Sequence, residues 1–442
     1  MYWRSWIIRQ WGKLACQKSS AGQKFALGVE DCRIVWLSAV MIATPSVEEF
    51  QGLYGPFQVS ELVLQRIWLK AAFDTSRMKD DEGRAVELIH SGDWNRLAGP
   101  DFRNATISIG GERISGDVEI HFSARDWRGH GHGENPNFDN VVLHVVLYPL
   151  KPDDPPTKAQ SGEKIPTVSL LDLLWYDLEE YASEDSIVES TGVSLESAVE
   201  FLYGRSAEYC RRLLSEKARE RWTIKCGFAR KRIERLGWEG ACHTKALEIL
   251  GYSENRIPML RVAAAVSFEE FRLDPPRLES LYEIGGDMWT TLGSRPANYP
   301  RLRLEQYLNW VRENPDWPND LEKWASKLSV CDPSASPSTS AFRREVDMPR
   351  LKRELGASVC STRVGGSRID TLICDGFLPL VSAQAEVPLF NLWFHWNVGD
   401  APEGAISSLR KLSVLESRRF PRANGWVQGL LKLRAAHEDR SS

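Results

Sequence analysis

The chain has 442 residues, 42% hydrophobic and 26% charged, a composition that excludes wholesale disorder and leads one to expect two or three domains at about 100–200 residues each. Its 56 Lys and Arg against 60 Asp and Glu leave a formal net charge of −4, so the whole chain is not a polycation that binds nucleic acid by bulk charge. Seventeen Trp is a high count, and His121, His130, His132 and His144, half of the eight histidines, fall within 24 residues.

The eight cysteines form no C-x-x-C pair, which excludes a zinc ribbon or a thioredoxin-type motif. A chain of this size builds a core without disulfides, so reduced thiols in the cytoplasm are expected. No run of eighteen apolar residues occurs, and no membrane span is expected. Residues 34–43 are apolar with Lys and Arg upstream, like a signal peptide, but the run lies deep in the chain and directly follows Glu30, Asp31 and the short stretch to Arg33. Residues 1–44 are therefore expected to be an extension, disordered or read from a start codon upstream of the functional one at Met41.

Residues 59–72 place apolar side chains at helical spacing, with Ser60 as a cap. The period then changes to two over 85–90, 101–109 and 113–122, which predicts three strands, and the continuous apolar run at 140–148 predicts a strand buried on both faces. The fold class read from this order is an α/β N-terminal core (α-β-β-β-α-β) over 45–150, followed by a mainly α-helical domain. Residues 151–167, with five Pro between 149 and 166, are expected to be a linker. Residues 168–330 form the expected helical domain, with amphipathic helices over 195–236 and 239–273. A flexible loop is expected at 331–345, and a mainly helical region at 346–442 with one strand-like stretch near 369–374.

The chemistry concentrates between Asn95 and His144. Asp101 follows Gly99-Pro100, where glycine permits a tight turn and proline presets φ, and it opens a strand. Glu119 lies in the next strand, and a period of two puts His121 on its face. A hairpin-like pairing brings Asp101 beside them. Two carboxylates and an imidazole suit Mg²⁺ or Mn²⁺, which would activate a water and stabilise charge on a phosphoryl oxygen. The arrangement resembles the catalytic core of the PD-(D/E)XK nucleases, a restriction-endonuclease-like fold. That resemblance implies Asp101 and Glu119 as the metal-binding acids, with Glu61 assisting from the first helix and His121 standing where the motif has Lys. Between Lys79 and Lys151 there is no Lys to substitute. The implied reaction is metal-dependent phosphodiester hydrolysis. An inactive nuclease-like module that binds nucleic acid or protein is the alternative.

The histidines support a different reading. His130-Gly131-His132, with Glu134 and His144, resembles the H-x-H…E…H spacing of cupins and would chelate Zn²⁺ or Fe in an enzyme acting on a small molecule. The flanking Gly, Asn and Pro instead read as loop. In a merged arrangement His130 or His132 closes over the carboxylate site, so the candidate metal ligands are Asp101, Glu119, His121, His130 and His132.

G-P-D-F-x-N-A, G-D-V-E-I-H, D-W-x-x-H-G-H and L-H-V-V together resemble a bacterial domain-of-unknown-function family, DUF2851. The resemblance extends to 246–258, 294–304 and 424–431, so it implies a family domain over most of 45–435. Residues 204–236 hold eleven Lys or Arg and four Glu, while 41–150 hold ten basic and sixteen acidic residues, so the small net charge hides a bipolar chain. The basic segment is a candidate nucleic-acid surface, with Trp222 as a stacking face, or a solvated face paired with the acidic core. Arg295, Arg301 and Arg303 form another candidate contact cluster.

Overall fold

A computed structural model describes residues 47–52, 55–182, 195–252, 254–292, 295–328, 338–401, 404–415 and 420–438. The extension expected over 1–44, and with it the question of the start codon, lies outside the described residues, apart from which Ala43–Ser442 form one unit.

An antiparallel hairpin, β1 (Val47–Gly52) and β2 (Gly55–Ser60), leads into helix α1 (Glu61–Leu69), which starts directly after Ser60. The main sheet follows: β3 (Val86–His90), β4 (Asp93–Trp94), β5 (Phe102–Ile109), β6 (Glu112–His121), β7 (Val141–Val146) and β8 (Thr167–Ser169). Its order is β3-β5-β6-β7-β8, with β4 also paired to β5. The β3-β5-β6 half is antiparallel, and β7 and β8 add in parallel. The N-terminal part is thus a mixed sheet with few helices.

The four strands expected from alternation and from the apolar run are present. Phe102, Ile107, Val118, Ile120, Leu143 and Val145 are fully buried, as the apolar faces of α1 and of a two-sided sheet require. Gly116 lets β6 and β7 approach: a Cβ there would lie 2.7 Å from the Asn140 carbonyl and clash with Val142. The crossover from β6 to β7 is not one long helix but a short helix, α2 (Asp126–Gly129), and two 3₁₀ turns, His132–Glu134 and Pro136–Phe138.

The expected linker over 151–167 does not stand apart from the sheet. Thr157 and Thr167 are buried, Lys158 bridges Lys164, and Thr167 opens β8, whose register on β7 begins at His144↔Thr167. The sheet's core continues through Leu170, Leu173, Tyr176 and Tyr181. Edge pairing recruits this polar, proline-rich segment, and no local apolar period announces it.

From residue 196 the structure is helical. The longest element is α3 (Ala207–Leu250), capped by Ser206 and broken at Gly237, where φ is +72°. Shorter helices, Arg256–Ala265 and Phe268–Leu273, follow in the region where a single amphipathic stretch was expected. The flexible loop expected at 331–345 is helical over Thr339–Glu345, with Ser338 accepting from the Ala341 N–H; residues 331–337 lie outside the described residues. The strand-like stretch at 369–374 is also helical. Gly366–Thr371 runs into a π-helical turn, Leu372–Phe377, and on into Leu378–Ala385. A short apolar run fits a buried helix as well as a strand, and here the helical core takes it. The C-terminal helix α4 (Asn424–Glu438) packs so tightly on α3 that a Cβ at Gly429 would collide with the Leu214 carbonyl.

The two parts are joined by a buried ion network. Arg232 of α3 binds Glu248 at 2.8 Å and Glu180 at 3.2 Å, and Arg256 binds Glu248 at 2.6 Å. Three cations, Arg256, Lys245 and Arg232, hold the Glu248 carboxyl below the usual range despite its burial. Among the described residues no helix is long and apolar enough to cross a membrane.

A candidate metal centre where the sheet meets the crossover

The site begins with the antiparallel pairing of β5 and β6. Phe102 pairs with Val118, which sets Asp101 beside Glu119 as the hairpin expectation required. Gly99, at φ +106°, makes the turn that delivers Asp101 to the start of β5. The Asp101 N–H donates to Glu119 Oε2 at 2.9 Å, and Asp101 Oδ2 accepts the Ile120 N–H at 3.0 Å. Asp101 Oδ1 accepts from Gln65 of α1 at 2.6 Å, and Gln65 in turn accepts from the Trp94 indole at 2.8 Å. Glu61 is buried one turn before Gln65 and interacts electrostatically with Asp101 and Glu119. Burial, then the charge of Glu119, raises the Asp101 carboxyl well above its usual range, and burial raises Glu119 to about 8.

The histidines enter from two directions. His121 lies two residues beyond Glu119 on the same face of β6, with Nε2 3.5 Å from Glu119 Oε1. His130 and His132 come from the crossover, in the loop that their Gly and Asn neighbours indicated and not on a cupin-like strand. Gly131 between them has φ +75°, which turns both rings toward the sheet. His130 Nδ1 lies 3.1 Å from His121 Nε2, and His132 Nε2 lies 3.2 Å from Glu119 Oε1. Among the described residues, His132 Nε2 is buried and makes no hydrogen bond, because its approach to Glu119 is not aligned for one. Phe138 stacks on the His132 ring at 3.8 Å between centroids, and Trp127 packs edge-on against it at 5.3 Å. His130 is exposed, so the cluster is open to solvent on that side.

One ring nitrogen from each of His121, His130 and His132 lies within 4.8 Å of the others. Ligands about 2.0–2.1 Å from a tetrahedral ion lie about 3.4 Å apart, close to the 3.1, 3.2 and 3.5 Å separations among the three imidazoles and Glu119. The donor set fits a divalent transition ion: neutral imidazoles, one carboxylate, and an orphaned buried nitrogen. The His121 and His132 rings are held neutral. Burial, reinforced by His144, His132 and His130, lowers His121 well below its usual range, and burial lowers His132 to about 4.

His144 belongs to the same cluster but not to the donor set. It sits on β7 opposite Glu119 in the parallel register, wholly buried, with Nε2 2.9 Å from His121 Nδ1 and Nδ1 2.8 Å from Thr157 Oγ1. Both its nitrogens are engaged, so it does not serve as the third chelating histidine. Reading the sequence residue by residue missed Gln65, Trp127, Phe138 and Thr157. Of these only Trp127, inside D-W-x-x-H-G-H, lay in a marked motif.

In the basic segment, Trp222 does not take the stacking role considered for it. Trp222 is buried and tilts against Trp393 at 5.2 Å, so it offers no stacking face to a base. Lys217 pairs with Glu220 and Lys225 with Asp375, while Arg219 lies over Phe390. Nor do the arginines after Ser294 converge. Arg301 pairs with Glu279 at 2.6 Å, Arg303 binds Asn298 and Tyr252, and Arg295 is exposed.

The model of the family described as "Protein of unknown function (DUF2851)" matches residues 61–282, half of the chain, and takes in every residue of this site. The match includes the motif at 246–258 and ends before those at 294–304 and 424–431. No curated protein and no solved structure matches the chain.

Proposed function

We propose that this chain, which belongs to the DUF2851 family, is a metal-dependent hydrolase whose divalent transition ion is held by Glu119, His121, His130 and His132. The observation that carries the reading is the convergence of three imidazoles from two chain segments, two of them also against one Glu119 oxygen, on the side of the sheet open through His130. Zn²⁺ suits imidazole-rich sites, and Mn²⁺ or Fe also fits the mixed donors. When bound, such an ion acidifies a water and polarises the bond to be cut. The protein's part is to exclude bulk water on the Trp127 and Phe138 side and to hold acid–base groups next to the ion. Asp101 retains its proton to unusually high pH and lies beside Glu119, which suits it to protonate a leaving group.

A phosphodiester of nucleic acid is the substrate class proposed. In a second reading, favoured by the hydrogen bond that locks Asp101 to Glu119, the working ion is Mg²⁺ or Mn²⁺ on those two acids with Glu61 assisting, as in a nuclease-like core. A strand of nucleic acid would then be tracked by exposed Arg205, Arg212 and Arg230 of the basic segment.

Elemental analysis after dialysis against Zn²⁺, Mn²⁺ or Mg²⁺ tests the centre. One transition ion per chain is expected, lost in His130→Ala/His132→Ala, together with metal-dependent cleavage of DNA or RNA. Wild-type protein that retains no ion overturns the transition-metal centre. Retention without cleavage leaves a binding module. Mg²⁺-dependent cleavage that survives the double histidine change, but not Asp101→Ala/Glu119→Ala, assigns the chemistry to the carboxylates alone.

A further inference from the structure

Behind His121 runs a continuous line of buried polar contacts that ends on a buried threonine. His121 Nδ1 meets His144 Nε2 at 2.9 Å, His144 Nδ1 meets Thr157 Oγ1 at 2.8 Å, and Thr157 Oγ1 meets Thr167 Oγ1 at 3.1 Å. Every member is buried: His121 and His144 lie on adjacent parallel strands, Thr157 on the return from β7, and Thr167 at the start of β8. With both rings neutral, each imidazole has one N–H, so the chain admits only two proton orders. In one, Thr157 donates to His144, His144 to His121, and an N–H on His121 Nε2 faces the site. In the other, His121 Nδ1–H donates to His144 Nε2, His144 Nδ1–H donates to Thr157, and Thr157 donates to Thr167. Only the second leaves a bare lone pair on His121 Nε2, the atom that faces His130 and Glu119. An imidazole that ligates a metal through one nitrogen is oriented, and its tautomer fixed, by what the other nitrogen binds.

We propose that His144 and Thr157 are positioning residues that hold His121 as its Nδ1–H tautomer, with Thr167 as the terminal acceptor. This rests on the metal-centre reading above and adds to it a chain of control two residues deep. Thr157 is the informative position, because valine keeps its shape and removes its acceptor. His144 has no other partner among the described residues that would take its Nδ1–H.

The test uses the full-length chain and Zn²⁺. Thr157→Val is expected to weaken Zn²⁺ binding about 10–100-fold, the usual effect of losing an outer-shell partner, at unchanged stoichiometry, and Thr157→Ser to restore it. In ¹⁵N-labelled Zn²⁺-loaded protein, His121 and His144 are both expected to carry their proton on Nδ1. His144→Phe should weaken binding at least as much, and if it does not fold, the threonine pair decides alone. Wild-type protein that binds Zn²⁺ while Thr157→Val binds equally tightly, or a loaded His144 protonated on Nε2, overturns the relay and leaves the metal centre standing. Wild-type protein that binds no Zn²⁺ overturns both.

Discussion

Replacing Glu119 by Gln is expected to move stability and metal binding in opposite directions. In metal-free protein Glu119 sits among Glu61 and Asp101, buried, with a pKa near 8 against an ordinary 4.5. A group raised in this way binds its proton more tightly when folded, so its contribution is fully present below about pH 4.5 and is lost as pH rises toward 8. At pH 7 the unfolded chain gains from ionising over about 2.5 pH units, at roughly 1.4 kcal/mol each, so the carboxyl costs the metal-free fold about 3 kcal/mol. Glutamine has the same shape, has no charge to bury, and can still accept the Asp101 N–H. Urea unfolding with a chelator present should therefore show Glu119→Gln more stable than wild type by about 3 kcal/mol at pH 7, and equal to it near pH 4.5. Added Zn²⁺ reverses the ranking at pH 7, because an ion at 1,000 times its Kd stabilises wild type by about 4.1 kcal/mol and the variant by far less. A difference between the two proteins that is flat from pH 4.5 to 8, or a variant less stable without metal, would refute the reasoning.

Glu248→Gln should strip the buried arginines of their shared anion and cost about 3–5 kcal/mol, read by urea denaturation. Because the Glu248 carboxyl is held low, its contribution is present at neutral pH and disappears in acid, and the variant's unfolding should show less acid sensitivity than wild type's. Gly116→Ala should cost about 1–3 kcal/mol by forcing β6 from β7, visible as a lowered Tm, whereas alanine at exposed Gly111, on the β5–β6 turn, meets nothing within 4 Å and bears only the strain of φ +92°. Gly131→Ala should cost about 1 kcal/mol or more in left-handed strain and weaken Zn²⁺ binding in calorimetry, with Gly131→Asn milder.

The part of the site carried on strands was legible in the sequence. Alternation fixed the shared face of Glu119 and His121, and the Gly-Pro turn marked where Asp101 enters. What long-range pairing decides was not legible. The β1-β2 hairpin and β8 are short or polar, and each exists because a partner strand is there. Residues 369–374 read as strand because a short apolar run carries no period of its own. Trp222 looked like a stacking face because sequence records aromaticity and not burial. His144 could be placed in a buried strand, but its engagement with Thr157 depends on where a proline-rich return passes, and no local pattern encodes that.

The crossover between β6 and β7 gives two of the four donors, and the sheet gives the other two. An ion shared between them would act as a clasp that fastens residues 122–140 to a framework already formed by β5 and β6. Loading would then leave a local record: amides from Trp127 to Phe138 exchange slowly with solvent deuterium when the clasp is closed and quickly when it is open, while those of the β5-β6 ladder keep one rate throughout. The same loop would also be the first place for a protease to cut the metal-free chain.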